Sequence, residues 1–272
     1  MKVWVKALCL SVLSLTAKAA NVGEGIELSG ELKQGAILFG KAPVGSKVYF
    51  NDKELALSPD GRFVFGVGRD AAPAHRLEVV TAHKRTRVPV NIARREYDVQ
   101  HVNGVAQKYV SPPAEVSARI AKDAIEVRKA RDTSSTLDAV FIKPLMPAKG
   151  RISGVYGSQR VFNGEPRNPH YGLDVAAPTG TEVIAPLAGK VTLAQDLYYS
   201  GLTLIVDHGY GISSTFMHLS QINVAVGETV KQGAKIGEIG ATGRVTGAHL
   251  DWRINWYHER LDPALLPGLK LP

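Results

Sequence analysis

Between residues 25 and 105 the apolar positions come in short runs separated by turns. Val48-Tyr49-Phe50, Phe63-Val64-Phe65, Leu77-Glu78-Val79-Val80 and Val88-Pro89-Val90-Asn91-Ile92 are rich in β-branched and aromatic residues. Pro43-Val44-Gly45, Asn51-Asp52 and Pro59-Asp60-Gly61 break them as turn signals. Short strands at this spacing predict a small β-sandwich of immunoglobulin-like pattern. His75, His83 and His101 stand alone within it and read as surface residues.

The period then lengthens. Val116, Ile120 and Val127 recur at helical spacing, with Arg119, Lys122, Asp123 and Arg128 between them. Ser111 is the expected N-cap and Pro112 the first helical residue. The helix is expected to end near Arg131, and Asp132-Thr133-Ser134-Ser135 reads as a linker. Such a helix is either a spacer packed on one domain or a cover over a downstream site.

From residue 141 to about 266 the strand pattern returns with many glycine turns. Residues 202–207 and 213–219 read as two strands of a hairpin, joined by His208-Gly209-Tyr210-Gly211. Residues 224–240 alternate short apolar runs with glycines. An antiparallel sheet or barrel-like sandwich is expected. The chain is therefore read as mainly β: a β-sandwich-like accessory domain over 21–105, a helical linker over 106–140, and a second β domain over 141–272.

The first twenty residues stand outside this scheme. Lys2 and Lys6 precede an apolar run at 7–15, and Ala17-Lys18-Ala19 is a small-x-small signal. This is the pattern of a secretory signal peptide, cleaved near Ala19 or Ala20. No other stretch approaches the ~18 apolar residues of a membrane helix. The one cysteine, Cys9, falls inside the leader, so the mature chain is expected to have neither disulfide nor thiol chemistry. Together these features predict a periplasmic or secreted protein. The formal charge of +8 drops to +5 when Lys2, Lys6 and Lys18 leave. A moderately basic surface suits an anionic polymer such as cell wall. The charges are scattered and not interleaved with aromatics, which argues against nucleic acid.

Two short segments carry the candidate chemistry. On a strand, residues i, i+2 and i+4 share a face. His170, Gly172 and Asp174 would then share one, with Gly172 leaving room between two ligands. His249, Asp251 and Arg253 would share another, with Leu250, Trp252 and Ile254 turned to the core. A hydrolytic zinc site needs three protein ligands, an open position for water, and groups that move protons. His208 reads as structural and His258 as a surface residue.

His170-x-Gly172-x-Asp174 resembles the first zinc motif of the lysostaphin-type (LytM-domain) metallopeptidases. Thr242-Gly243-Arg244-x-Thr246-Gly247-x-His249-Leu250 resembles the loop and strand before their second motif. Phe216-Met217-His218-Leu219-Ser220 resembles the strand that supplies their catalytic histidine. The resemblance runs from about residue 152 to 261. It implies a LytM-type peptidase domain that hydrolyses peptide bonds in peptidoglycan stem peptides or cross-bridges with one Zn2+ ion. It further implies that His170 and Asp174 bind the metal and that His218 and His249 are the paired catalytic histidines.

The departure is Asp251. The family pattern has a histidine there as the third ligand. A carboxylate can bind zinc at a similar distance, so Asp251 is expected as the third ligand. The formal charge of the site, metal included, would then fall from +1 to 0. Arg253 on the same face offers a competing partner that could turn Asp251 away from the metal. The two functional readings follow. One is an exported zinc metalloendopeptidase of peptidoglycan. The other is a catalytically inactive module that binds wall or activates a wall amidase.

Two other patterns lead elsewhere and are set aside. Gly237-x-x-Gly240-x-x-Gly243 has the wrong spacing and a strand-to-strand context for a dinucleotide loop. The segment around Val226-Gly227-Glu228 resembles lipoyl or biotinyl carriers, yet no lysine stands at a hairpin tip to be modified.

Overall fold

The computed structural model describes residues 20–23, 25–102, 114–162 and 164–272. Residues 1–19 of the expected leader, Cys9 among them, and the Ser111-Pro112 helix start lie outside the described residues. Among the described residues, no helix is long and apolar enough to cross a membrane.

The four β-rich runs of the first part each fall in a strand. They build two four-stranded antiparallel sheets. One orders Ala20–Gly23, Ile26–Ser29, Ile37–Lys41 and Arg62–Gly66; the other orders Lys53–Leu55, Lys47–Phe50, Ala74–Val80 and Arg85–Asn91. Alternation decides which side chains meet between them. Phe63 and Phe65 are buried, and the Phe65 ring lies 4.3 Å from that of Phe50 on the other sheet.

The helix spans Ser117–Asp132, close to the expected end, and its N-cap residue Val116 makes no side-chain cap. Val127 and Ala130 pack on Leu193, Leu197 and Ile205 of the larger sheet. Register puts Ile205 and Thr215 on the sheet face of Arg253, so the helix packs on that face, and polar contacts anchor it as well. Asp123 accepts from the Tyr198 N–H at 2.7 Å, and Arg119 pairs with Asp196 at 2.8 Å.

The second part is a ten-stranded antiparallel sheet. Its central order is Arg151–Gly154, Leu173–Ala176, His249–Trp256, Ile212–Ile222, Gly201–Gly209 and Gly189–Leu197. Leu250, Trp252 and Ile254 are fully buried on one face, as alternation requires. The apolar cluster does not stop at the edge of this sheet. It runs from Ile26 through Leu266, and Phe50 meets Trp256 edge-on at 6.3 Å.

The hairpin differs from expectation in its turn. His208 and Gly209 continue the strand, and only Tyr210 and Gly211 turn, both at positive φ (53° and 80°). That is the two-residue turn whose twist matches the flanking strands, and Gly211 takes its second central position without steric cost. His208 is consequently a core residue. Its Nδ1 donates to the Ala188 carbonyl at 2.8 Å, so its Nε2 accepts from Ser214 Oγ at 2.7 Å. Trp252 Nε1 donates to the same hydroxyl at 3.3 Å.

Candidate metal and catalytic site

Strand register places the two carboxylates. Asp174 stands directly opposite Asp251 on adjacent antiparallel strands, and Ala176 opposite His249. Directly opposed residues share a face, so Asp174, His249, Asp251 and Arg253 all project from one side of the sheet. Like charges directly opposite one another are destabilising. Cations must therefore stand close by.

Arg253 is one of them. Its Nε donates to Asp251 Oδ1 at 3.0 Å, and its Nη2 donates to Oδ2 at 2.6 Å. Asp251 is 3% exposed and Arg253 is half-buried. Burial works to raise the Asp251 pKa, but the Arg253 charge and hydrogen bonds outweigh it and hold the carboxyl below its ordinary value. Gly172 makes this packing possible. A Cβ there would lie 2.1 Å from Asp251 Oδ1 and 2.9 Å from Arg253 Cγ. Gly172 thus leaves room for the Asp251–Arg253 ion pair, where the expectation was room between the ligands His170 and Asp174.

His170 arrives by a different route from the one alternation predicted. The strand begins only at Leu173, so His170 and Gly172 precede it. His170 is instead pinned by its own backbone: its N–H donates to Ser158 O and its carbonyl accepts from Gly157 N, both at 2.8 Å. Its ring then lies with Nε2 3.1 Å from Asp174 Oδ1 and Nδ1 3.9 Å from Asp251 Oδ2. Burial pulls the His170 pKa down, but Asp174 and Asp251 overcome it and raise it.

His170, Asp174 and Asp251 offer ligand atoms that all lie within 4.8 Å of one another. His170 Nε2 and Asp174 Oδ1 are buried and make no hydrogen bond of acceptable geometry, although they face each other. Buried polar atoms are nearly always satisfied, and an exception calls for a partner such as an ion. One imidazole and two carboxylates form a donor set that suits zinc. The residues present therefore fit a divalent metal.

His218 reaches the same side by a backbone device. Met217 is paired with Asp251, so strict alternation would send His218 to the core face. His218 adopts φ +64°, a left-handed conformation rare outside glycine, inside a register break that spans Phe216 to Leu219, and a second break follows at Leu219–Gln221. Its ring centroid then lies 4.9 Å from that of His249. Its backbone N–H donates to Ser200 O at 2.8 Å, and its Nδ1 donates to Thr242 O at 2.9 Å. His249 Nδ1 likewise donates to Gly247 O at 2.9 Å. A carbonyl only accepts, so in each neutral ring Nδ1 carries the proton and Nε2 keeps the lone pair. Burial holds the His218 pKa below its ordinary value, against raising contributions from Thr242 and Asp251.

Sequence spacing missed three supporting residues. Thr242 accepts from Leu202 N–H at 2.9 Å and donates to Leu219 O at 2.8 Å, so it ties the glycine loop to the His218 strand. Arg244 stacks its guanidinium 4.5 Å from the Tyr199 ring centroid. Arg131, expected only as a helix end, is buried with its Nη2 3.3 Å from Thr215 Oγ1. Thr242 and Arg244 lie in the quoted loop motif, but nothing in their spacing marks them as supports. Of the other histidines, His83, His101 and His258 are exposed, and His258 meets Asp132 at 2.7 Å. His75 is half-buried and stacks on Phe50.

Residues 168–263 match the profile of peptidase family M23. Peptidoglycan DD-endopeptidase ShyA of Vibrio cholerae is 35% identical over 120 residues, 44% of this chain and 28% of that protein. DD-carboxypeptidase/endopeptidase Mpg of Neisseria meningitidis is 40% identical over 95 residues, 35% of this chain and 22% of that protein. The match thus spans less than a third of either curated relative. A solved Pseudomonas aeruginosa structure assigned to peptidase M23 superposes with TM-score 0.68 at 28% identity, covering 88% of this chain and 96% of that one. Residues 168–263, which hold all five candidate site residues, match the profile of peptidase family M23, the LytM-type family that the sequence motifs resemble.

Proposed function

We propose that this protein is an exported zinc metalloendopeptidase that hydrolyses peptide cross-links of peptidoglycan. The observation that carries the reading is the orphaned pair His170 Nε2 and Asp174 Oδ1, beside Asp251 and under two histidines with free Nε2 lone pairs. The substrate class comes from the names of ShyA and Mpg. His170, Asp174 and Asp251 would hold one zinc ion. Such an ion acidifies a bound water and polarises a carbonyl. His249 takes a proton from the attacking water through Nε2. His218, whose neutral Nε2 also carries a lone pair, would stabilise the developing oxyanion or hand a proton to the leaving amine only from its imidazolium form, after Nε2 has taken up a proton. The leader over 1–20 and the accessory unit over 21–105 belong to this reading as the export and positioning parts.

The rival reading is a LytM-type module that binds wall, or activates a wall amidase, without cutting. One observation favours it: Arg253 already occupies both Asp251 oxygens. One experiment separates the two. Zinc content and muropeptide release from purified sacculi are measured for the mature protein, for His170→Ala and for His218→Ala. The peptidase reading expects about one zinc per chain and release by the wild type. It expects loss of both in His170→Ala, and loss of release alone in His218→Ala. A wild type that binds sacculi, holds no zinc and releases nothing establishes the rival.

A further inference from the structure

We infer that Asp251 and Arg253 act as one electrically neutral ligand unit, so that a two-carboxylate metal site keeps the net charge of a one-carboxylate site. The inference rests on the metal-site reading above and adds a role for Arg253.

The charges can be counted from the groups in place. His170 is neutral as a ligand, Asp174 and Asp251 each contribute −1, and Arg253 contributes +1. With a divalent ion the total is +1. That equals the total for two imidazoles and one carboxylate, the set the family resemblance implies. The drop to 0 expected from the Asp251 substitution is cancelled by a residue two positions along the same strand.

Geometry makes the cancellation local. Arg253 grips Asp251 through Nε and Nη2 at 3.0 and 2.6 Å, the fork geometry that orients a carboxylate as well as neutralising it. Nε also reaches Oδ2 at 3.2 Å, so Arg253 makes three contacts with the two oxygens and leaves part of the carboxylate's roughly four acceptor positions open. Asp251 Oδ2 lies 3.9 Å from His170 Nδ1, on the metal side of the cluster. The absent Cβ of Gly172 leaves the space that Asp251 Oδ1 and Arg253 Cγ fill, so the pair has one packed position. A carboxylate fixed by arginine, within 4.8 Å of ligand atoms on His170 and Asp174, is a ligand held in place. An arginine that merely withdrew the carboxylate would leave those atoms without a third donor.

The idea makes an unexpected demand. Restoring the family's histidine at position 251 should weaken zinc binding, because Arg253 would then face an uncompensated metal. Zinc affinity is measured by competition with a chromophoric chelator, and zinc content by atomic emission, on the full mature chain. The variants are D251H, R253Q, R253K, D251H/R253Q and D251H/R253K, each checked for a cooperative melt. D251H is expected to bind zinc roughly tenfold or more weakly than wild type. D251H/R253Q should recover that affinity, and D251H/R253K should not, since lysine keeps the charge. Arg253→Gln and Arg253→Lys both remove the fork, so packing loss is matched between them. D251H binding as tightly as wild type, or equal affinities for the two double variants, overturns the inference. Muropeptide release is read on the same samples. A wild type with neither zinc nor release overturns the peptidase reading too, whereas a zinc-loaded, active wild type with no charge dependence sinks the neutral unit alone.

Discussion

Asp174 and Asp251 face each other across one antiparallel register, and Arg253 grips the second of them with a 2.6 Å bond. The pairing makes Asp251 a structural residue as well as a candidate ligand. Asp251→Ala would leave the Arg253 cation buried without its partner. A loss of about 3–5 kcal/mol is expected. Asp251→Ala/Arg253→Met removes both charges and should recover most of it. Urea denaturation of the metal-free proteins measures both, and a double variant no more stable than the single one would show that the pair is not the cause.

Gly172 sits where a side chain has no room. Its Cβ would fall 2.1 Å from Asp251 Oδ1. Gly172→Ala should displace the ion pair, cost about 1–3 kcal/mol and reduce zinc content. Thermal melts and metal analysis check it; a variant that melts and loads zinc like wild type would mean the site gives way easily.

His218 combines a strained backbone with a free Nε2. Asparagine tolerates positive φ but cannot relay a proton. His218→Asn is therefore expected to lower peptidoglycan hydrolysis by about 10²–10⁴ with little change in melting temperature or zinc content. A fall in zinc content matching the fall in rate would instead make His218 a support for the metal ligands.

His208 gives the fold an acid-sensitive component. Full burial pushes its pKa down to about 4, against raising effects from Ala188 O and Asp207. Between the ordinary value of 6.5 and about 4, the unfolded chain binds a proton that the folded chain refuses. This contribution is complete above pH 6.5 and fades as the pH falls to about 4, by at most about 3 kcal/mol. Chemical denaturation of wild type and His208→Asn across that window checks it. The variant starts less stable, having lost bonds to Ala188 and Ser214, but its stability should fall less steeply with acid. Parallel slopes would place the proton elsewhere.

Arg131 carries a buried charge that meets no carboxylate among the described residues. Its pKa is driven well down by burial first and by repulsion from Arg260 and Arg253. Its Nε makes no hydrogen bond. Replacing an uncompensated buried cation with an apolar side chain of similar length is often stabilising. Arg131→Met should raise the melting temperature by a few degrees, about 1–3 kcal/mol. A marked fall in calorimetry would mean the guanidinium is held by groups beyond Thr215.

The sequence by itself determined the classes of element and one face of the site strand. Alternation alone puts Leu250, Trp252 and Ile254 in the core and Asp251 beside Arg253, because side-chain direction on a strand is a local property. Helical spacing placed the Ser117–Asp132 helix to within a residue at its end. The motifs named the five candidate site residues because their chemistry is carried by residue type. What only the tertiary structure decided depends on partners distant in sequence. Asp174 meets Asp251 through strand register, a contact across 77 residues that no local pattern encodes. His170 reaches the cluster from outside the strand because Ser158 holds its backbone. His218 turns toward His249 only through a left-handed φ and two register breaks, where local alternation points the other way. The choice posed for Asp251 between metal and arginine also changed in kind. In the proposed neutral unit one carboxylate would serve both, and the packing around Gly172 is what fixes it against Arg253 and within 3.9 Å of His170.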